Sequence, residues 1–192
     1  MAKTILAFLP LVLSALSLAG AAAPATTSFI TASCRETEYP PVCMESLSAY
    51  ASAVKQSPKE LAQAALTVSL ARAESTRAFV KKLTKFKGLK PREYQALKDC
   101  ADEIDDTVDR IGRSVTEMKA MGSGKSKEFL WHISNVETWV SAALTDENTC
   151  SDGFAGKAMD GRIKASVKAK VTNVAQVTSN ALALINKFAA KY

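Results

Sequence analysis

Histidine is almost missing from this chain: His132 is its single copy in 192 residues. A hydrolase triad needs a nucleophile, a base and an orienting acid. No G-x-S-x-G turn accompanies His132, which stands one position before an apolar stripe in FLWHISN, so a partly buried structural role is expected for it. Zinc is disfavoured by the same shortage, because there is also no C-x2-C pair among the four cysteines. GSGKS at 122–126 has the wrong spacing for a phosphate loop and follows no strand, so it reads as an interhelical loop. There is no N-x-Ser/Thr sequon, no block of like charge and no long alternation of apolar with polar β-branched residues. These absences exclude a sheet, and they argue for a chain that is no enzyme and holds no metal or cofactor.

The apolar run from Ile5 to Leu18 is too short for a comfortable membrane span. Lys3 precedes it, and small residues with several Ala-x-Ala options follow between Ala19 and Ala25. That is the layout of a secretory signal peptide, assigned to residues 1–25 and set apart from the fold. Residues 26–192 then suit one domain with a real core. Loss of Lys3 takes the formal charge from +6 to +5. Secretion argues against nucleic acid, and the dispersed lysines leave a polyanionic extracellular matrix as a weak partner.

In an oxidising compartment four cysteines read as two disulfides. Three connectivities exist, and the sequence does not choose among them. The nine-residue separation of Cys34 and Cys43, with Pro40 and Pro41 turning the chain back between them, makes one bridge feasible and would leave Cys100 with Cys150.

The rest is helical. SPKE places Ser57 at an N-cap, Pro58 at N1 and Glu60 at N3 of a helix running to about Phe86, with Gly88 as its stop. A second helix starts near Pro91 and carries Tyr94, Leu97, Ala101, Ile104, Val108, Ile111, Val115 and Met118 at unbroken three–four spacing. A third carries Phe129, Ile133, Val136, Val140 and Ala143. A fourth carries Ile163, Val167, Val171, Val174, Ala181, Ile185 and Phe188. The expected fold is all-α: an up-down-up-down four-helix bundle over 57–192, preceded by a short N-terminal helical hairpin over 26–56 that is bent at Glu38–Pro41. The hairpin has little core of its own, so it reads as an appendage closed by its bridge.

Asp99, Asp102, Asp106 and Asp109 fall on one stripe of the second helix, opposite Ile104, Val108 and Ile111. A solvated helix face is the plain explanation. Like charges at these spacings nevertheless cost a few tenths of a kcal/mol per pair, which makes the stripe a candidate for meeting a basic partner. Trp131 and Trp139 flank the third helix's apolar stripe and are expected to pack at its edge. A Cys100–Cys150 bridge would set the segment TDENT, 145–149, beside the aspartates as one polar surface.

C-x8-C with Tyr-Pro between the cysteines, L-K-D-C at 97–100 and WVSAALTDENTCSDGF at 139–154 give the chain a resemblance to the plant invertase and pectin methylesterase inhibitors. The wording of the last two motifs is closer to the pectin methylesterase inhibitors. The resemblance implies the bridges Cys34–Cys43 and Cys100–Cys150 and the bundle with its hairpin. It implies a secreted, apoplastic protein that covers the target enzyme's substrate cleft in a one-to-one complex through the second and third bundle helices. The contact positions it carries over are Asp102, Asp106, Asp109 and Thr149. It leaves open self-association through the hairpin and acid invertase as the target. A competitor from another class is a secreted helical binder of small apolar ligands or lipids, which would need a cavity inside the bundle.

Overall fold

In a computed structural model, residues 22–122, 126–159 and 161–192 are described; most of the proposed signal segment, residues 1–21, and positions 123–125 of the GSGKS loop lie outside them. The first helix, α1 (Ala22–Cys34), begins four residues inside the segment assigned to the signal. A turn leads to α2 (Pro40–Leu47), then a single 3-10 turn and the short α3 (Ala51–Val54). The four long helices follow as α4 (Pro58–Leu83), α5 (Pro91–Ala120), α6 (Lys127–Asp152) and α7 (Arg162–Ala189). Among the described residues there is no strand, and no helix is long and apolar enough to cross a membrane.

Each long helix packs against its chain neighbours, and α7 closes the ring against α4. That is the antiparallel order expected of short connections. The helix starts follow local chemistry. The Ser57 hydroxyl accepts from the Glu60 N–H and the Ser126 hydroxyl from the Phe129 N–H, while the Glu93 carboxylate accepts from the Lys90 N–H. The Ser57 motif closes only half of the expected capping box, since the Ser57 N–H donates to the Val54 carbonyl instead. The first bundle helix stops at Leu83, short of Phe86, and Gly88 takes its left-handed φ of +88° in the loop beyond.

The apolar stripes face inward with two departures. On α5, Leu97, Ala101, Ile104, Ile111 and Met118 are buried and Val108 and Val115 half-buried, but Tyr94 is 48% exposed. It lies in the first turn of α5, before the helix enters the bundle. Trp131 is 61% exposed, against the expectation that it packs at the edge of the α6 stripe. It stands two residues past Phe129 and two before Ile133, about 200° of helical rotation from each, and points outward.

Both bridges of the expected connectivity are present, Cys34–Cys43 and Cys100–Cys150. The hairpin is less of an appendage than its length suggests. Ile30, Cys34, Cys43, Leu47 and Val54 join one apolar cluster with Leu61, Ala65 and Leu184 of the bundle. A polar latch fixes it further: the Tyr39 N–H donates to Asn180 Oδ1 and Asn180 Nδ2 donates to the Tyr39 carbonyl, each at 3.0 Å. Lys187 pairs with Glu36 at 2.7 Å, and Ser179 donates to Glu38. The hairpin therefore lies on α4 and α7, leaving the α5–α6 side of the ring uncovered.

Candidate functional site

The α5–α6 side is where the acidic stripe emerges. Asp99, Asp102, Asp106 and Asp109 are all exposed, as the 100° helical rotation requires once Ile104 and Ile111 turn inward. Asp99 accepts from Gln95 at 2.7 Å. Arg110 and Arg113 lie 3.8 and 3.7 Å from Asp106 and Asp109, loose pairs between exposed groups that leave the carboxylates open to another partner. Asp105 turns the other way, tying α5 to Lys81 of α4 at 2.6 Å.

The Cys100–Cys150 bridge holds the Cα atoms of these two cysteines, on α5 and α6, 4.2 Å apart and so sets Thr149 near the Cys100 end of the stripe. Thr149 is exposed, and its hydroxyl donates to the Thr145 carbonyl at 2.9 Å, which leaves its lone pairs facing outward as acceptors. The expectation of a continuous polar surface over 145–149 is corrected at two positions. Asp146 is 7% exposed and Glu147 fully buried. The reason is legible in the spacing: 136, 140, 143, 147 and 150 continue one stripe, so Glu147 falls on the core seam.

Asp146 receives Arg110 Nε at 2.7 Å, so one guanidinium joins α6 to the stripe through Asp146 and Asp106. Burial pushes the Asp146 carboxyl above its ordinary range despite the opposing pull of Arg110. Glu103, half-buried on the same side, is raised by burial and then by the Asp146 charge. Glu147 is the extreme case: burial drives it to about 8 against the opposing hydrogen bond from Thr178. Thr178 donates to Oε1 at 2.8 Å and is itself bonded to Ser69 at 2.6 Å, while Oε2 has no partner among the described residues.

Toward the other end of α5 the surface opens into a crevice of about 500 Å3 between α5 and α6, lined by Val108, Asp109, Gly112, Arg113, Glu117 and Trp139 among others. Arg113 lies over the Trp139 ring at 4.3 Å from its centroid. Trp139 thus fulfils the expected edge position, half-buried beneath a cation. Glu117 accepts from Asn135 at 3.1 Å and pairs with His132 Nδ1 at 2.8 Å; hydrogen bonding to these two holds its carboxyl below the ordinary range. His132 is the partly buried structural histidine its position implied, with 16% of its side chain exposed. Gly112 stands mid-helix where a Cβ would meet nothing within 4 Å. Glycine there costs about 1 kcal/mol relative to alanine, and the packing gives no reason for it.

A rigid, disulfide-tied helical bundle with one uncovered acidic face belongs to the proteins that act by binding. The family model of the plant invertase/pectin methylesterase inhibitors matches residues 28–184. The chain is 57% identical over 175 residues to the 21 kDa protein of Daucus carota, covering 91% of each. It is 52% identical over 193 residues to pectinesterase inhibitor 11 of Arabidopsis thaliana, covering 96% of each. The fold matches a crystal structure of a mutant pectin methylesterase inhibitor from Arabidopsis with a TM-score of 0.65 at 21% identity, over 80% of this chain and 92% of that one. The chain belongs to the plant invertase/pectin methylesterase inhibitor family and is not itself an enzyme.

Proposed function

We propose that this protein inhibits pectin methylesterase by laying α5 and α6 over the enzyme's substrate cleft in a one-to-one complex. The observation that carries the mechanism is the uncovered acidic face itself: Asp102, Asp106 and Asp109 project from α5, and the Cys100–Cys150 bridge holds the neighbour of Thr149 at the Cys100 end of their stripe. A bundle with a filled seam presents such a face without reorganising, so little ordering entropy opposes binding. The aspartates pair with basic or hydrogen-bonding groups of the enzyme and set orientation and association rate. Relatives at 52% identity named pectinesterase inhibitors favour this target over acid invertase. Neither the family nor the apolar residues filling both core clusters favours a lipid carrier. Two buried disulfides suit secretion to the cell wall, after removal of residues 1–25.

The test is pectin demethylation by a plant pectin methylesterase with and without the mature protein, with an acid invertase assay alongside. Replacing Asp102, Asp106 and Asp109 together by alanine is expected to weaken inhibition by about a hundredfold or more, some 1 kcal/mol per lost pair, with helical circular dichroism intact. Undiminished inhibition by that variant would remove the stripe from the mechanism.

A further inference from the structure

Arg113, Glu117 and Trp139 at the crevice between α5 and α6 help join the two helices, but the open space among them does not. We infer that it is a receiving site for a protruding arginine or lysine of the target enzyme, kept open by the absence of a side chain at Gly112. This rests on the proposed inhibition of pectin methylesterase and extends the contact surface beyond the acidic stripe.

Three features point to it. Gly112 sits in the interior of a 30-residue helix with an ordinary helical φ and open space where its Cβ would be, so neither backbone conformation nor close packing calls for glycine. What its lack of a side chain does is leave the crevice unfilled between Val108 and Trp139. The crevice is also continuous with the stripe, because Asp109 belongs to both. A partner seated on Asp102 and Asp106 would therefore reach the crevice without a gap.

Charge and shape select the occupant. Asp109 lies at one end, 68% exposed and only loosely paired, while Glu117 at the other is already engaged by His132 and Asn135. The single cation, Arg113, is already stacked on Trp139. A long side chain with an apolar stem and a cationic head fits: the stem lies along Val108 and the Gly112 backbone, and the head reaches Asp109. An acidic side chain would face the Asp109 carboxylate, and a short one would leave the crevice wet.

The experiment measures inhibition of a purified plant pectin methylesterase by the wild-type protein and by Gly112→Ala, Gly112→Leu and Gly112→Lys, with thermal unfolding of each. Alanine and leucine are better helix formers than glycine, so melting temperatures should rise by a few degrees or hold. Inhibition should move oppositely: Leu weakens it by about tenfold or more, and Lys, which adds a like charge, weakens it further than Leu. A gain in stability with a loss of inhibition is a combination that a structural role for Gly112 cannot produce. Leu and Lys variants as potent as wild type would overturn the site. A Lys variant no weaker than Leu would overturn the basic occupant. Failure of the wild type itself to inhibit would be a different result, sinking the functional reading and this proposal with it.

Discussion

Among the described residues, Glu147 is the carboxyl whose titration the fold alters most. A carboxyl with no exposure and one oxygen unpartnered is expensive to ionise, and the bundle holds it protonated to about pH 8. With Thr178 donating to Oε1, Ser69 donates in turn to Thr178, and this hydroxyl chain from α4 and α7 lessens the penalty without removing it. The sign for stability follows from the raised pKa. Unfolded, the group ionises near its ordinary value of 4.5; folded, it keeps its proton to about 8. Its protonated form therefore contributes fully below pH 4.5, and stability falls through the window between 4.5 and 8, by up to about 1.4 kcal/mol per pH unit. Asp146, Glu103 and Glu137, all raised chiefly by burial, push the same way, while Glu117 opposes them. Urea unfolding across that window should show the wild type losing a few kcal/mol toward pH 8. Glu147→Gln, which keeps the shape and cannot ionise, should match it near pH 4.5 and exceed it at pH 8. Parallel profiles for the two proteins would mean that Glu147 ionises in the folded state as readily as in water.

At the scale of elements, how much could be read from the chain depended on whether a side chain's partner was local or distant. The stripe from Leu97 to Met118 and the Ser57 cap are set by neighbours within one or two turns, and the structure has them. The acidic stripe was legible for the same reason, since helical rotation alone puts it outside. The crevice was not, because it takes shape only where Trp139 of α6 comes to face Gly112 of α5. Glu147 could have been found by continuing the α6 seam one step past Ala143; the polar character of TDENT hid it. The docking of the hairpin depends on Asn180, an amide buried in α7 that satisfies both backbone groups of Tyr39, 141 residues away. No local spacing announces that pair. Asn180→Ala would leave the partly buried Tyr39 N–H without its partner and the Tyr39 carbonyl with the Cys43 N–H alone, at about 1–3 kcal/mol. Hydrogen exchange should then accelerate in α1 and α2 while α5 and α6 keep their protection, and inhibition should persist because the hairpin lies on the opposite side of the ring. Uniform acceleration through all four long helices would show that the hairpin and bundle open as one unit.

The whole molecule is electrically lopsided. α5 carries eight carboxylates against five basic side chains, whereas α7 carries Arg162, Lys164, Lys168, Lys170 and Lys187 and no carboxylate at all. These helices are diagonal in the ring, so the acidic and basic faces point apart. With the target proposed to meet the acidic side, the basic side faces away from it and is placed to attract a polyanion, and the de-esterified pectin that a pectin methylesterase produces is one. Attraction of this kind is diffuse and is screened beyond about 8 Å at physiological ionic strength. Weak retention on a polygalacturonate matrix is therefore expected near 50 mM salt and should be lost by about 200 mM. Exchanging Lys164, Lys168 and Lys170 for glutamine should abolish retention while leaving inhibition of soluble enzyme unchanged. The aspartate triple variant should do the reverse, holding to the matrix at least as well as wild type while failing to inhibit. Should both variants lose both properties, the two faces would not be independent, and the lopsided charge would serve a single contact.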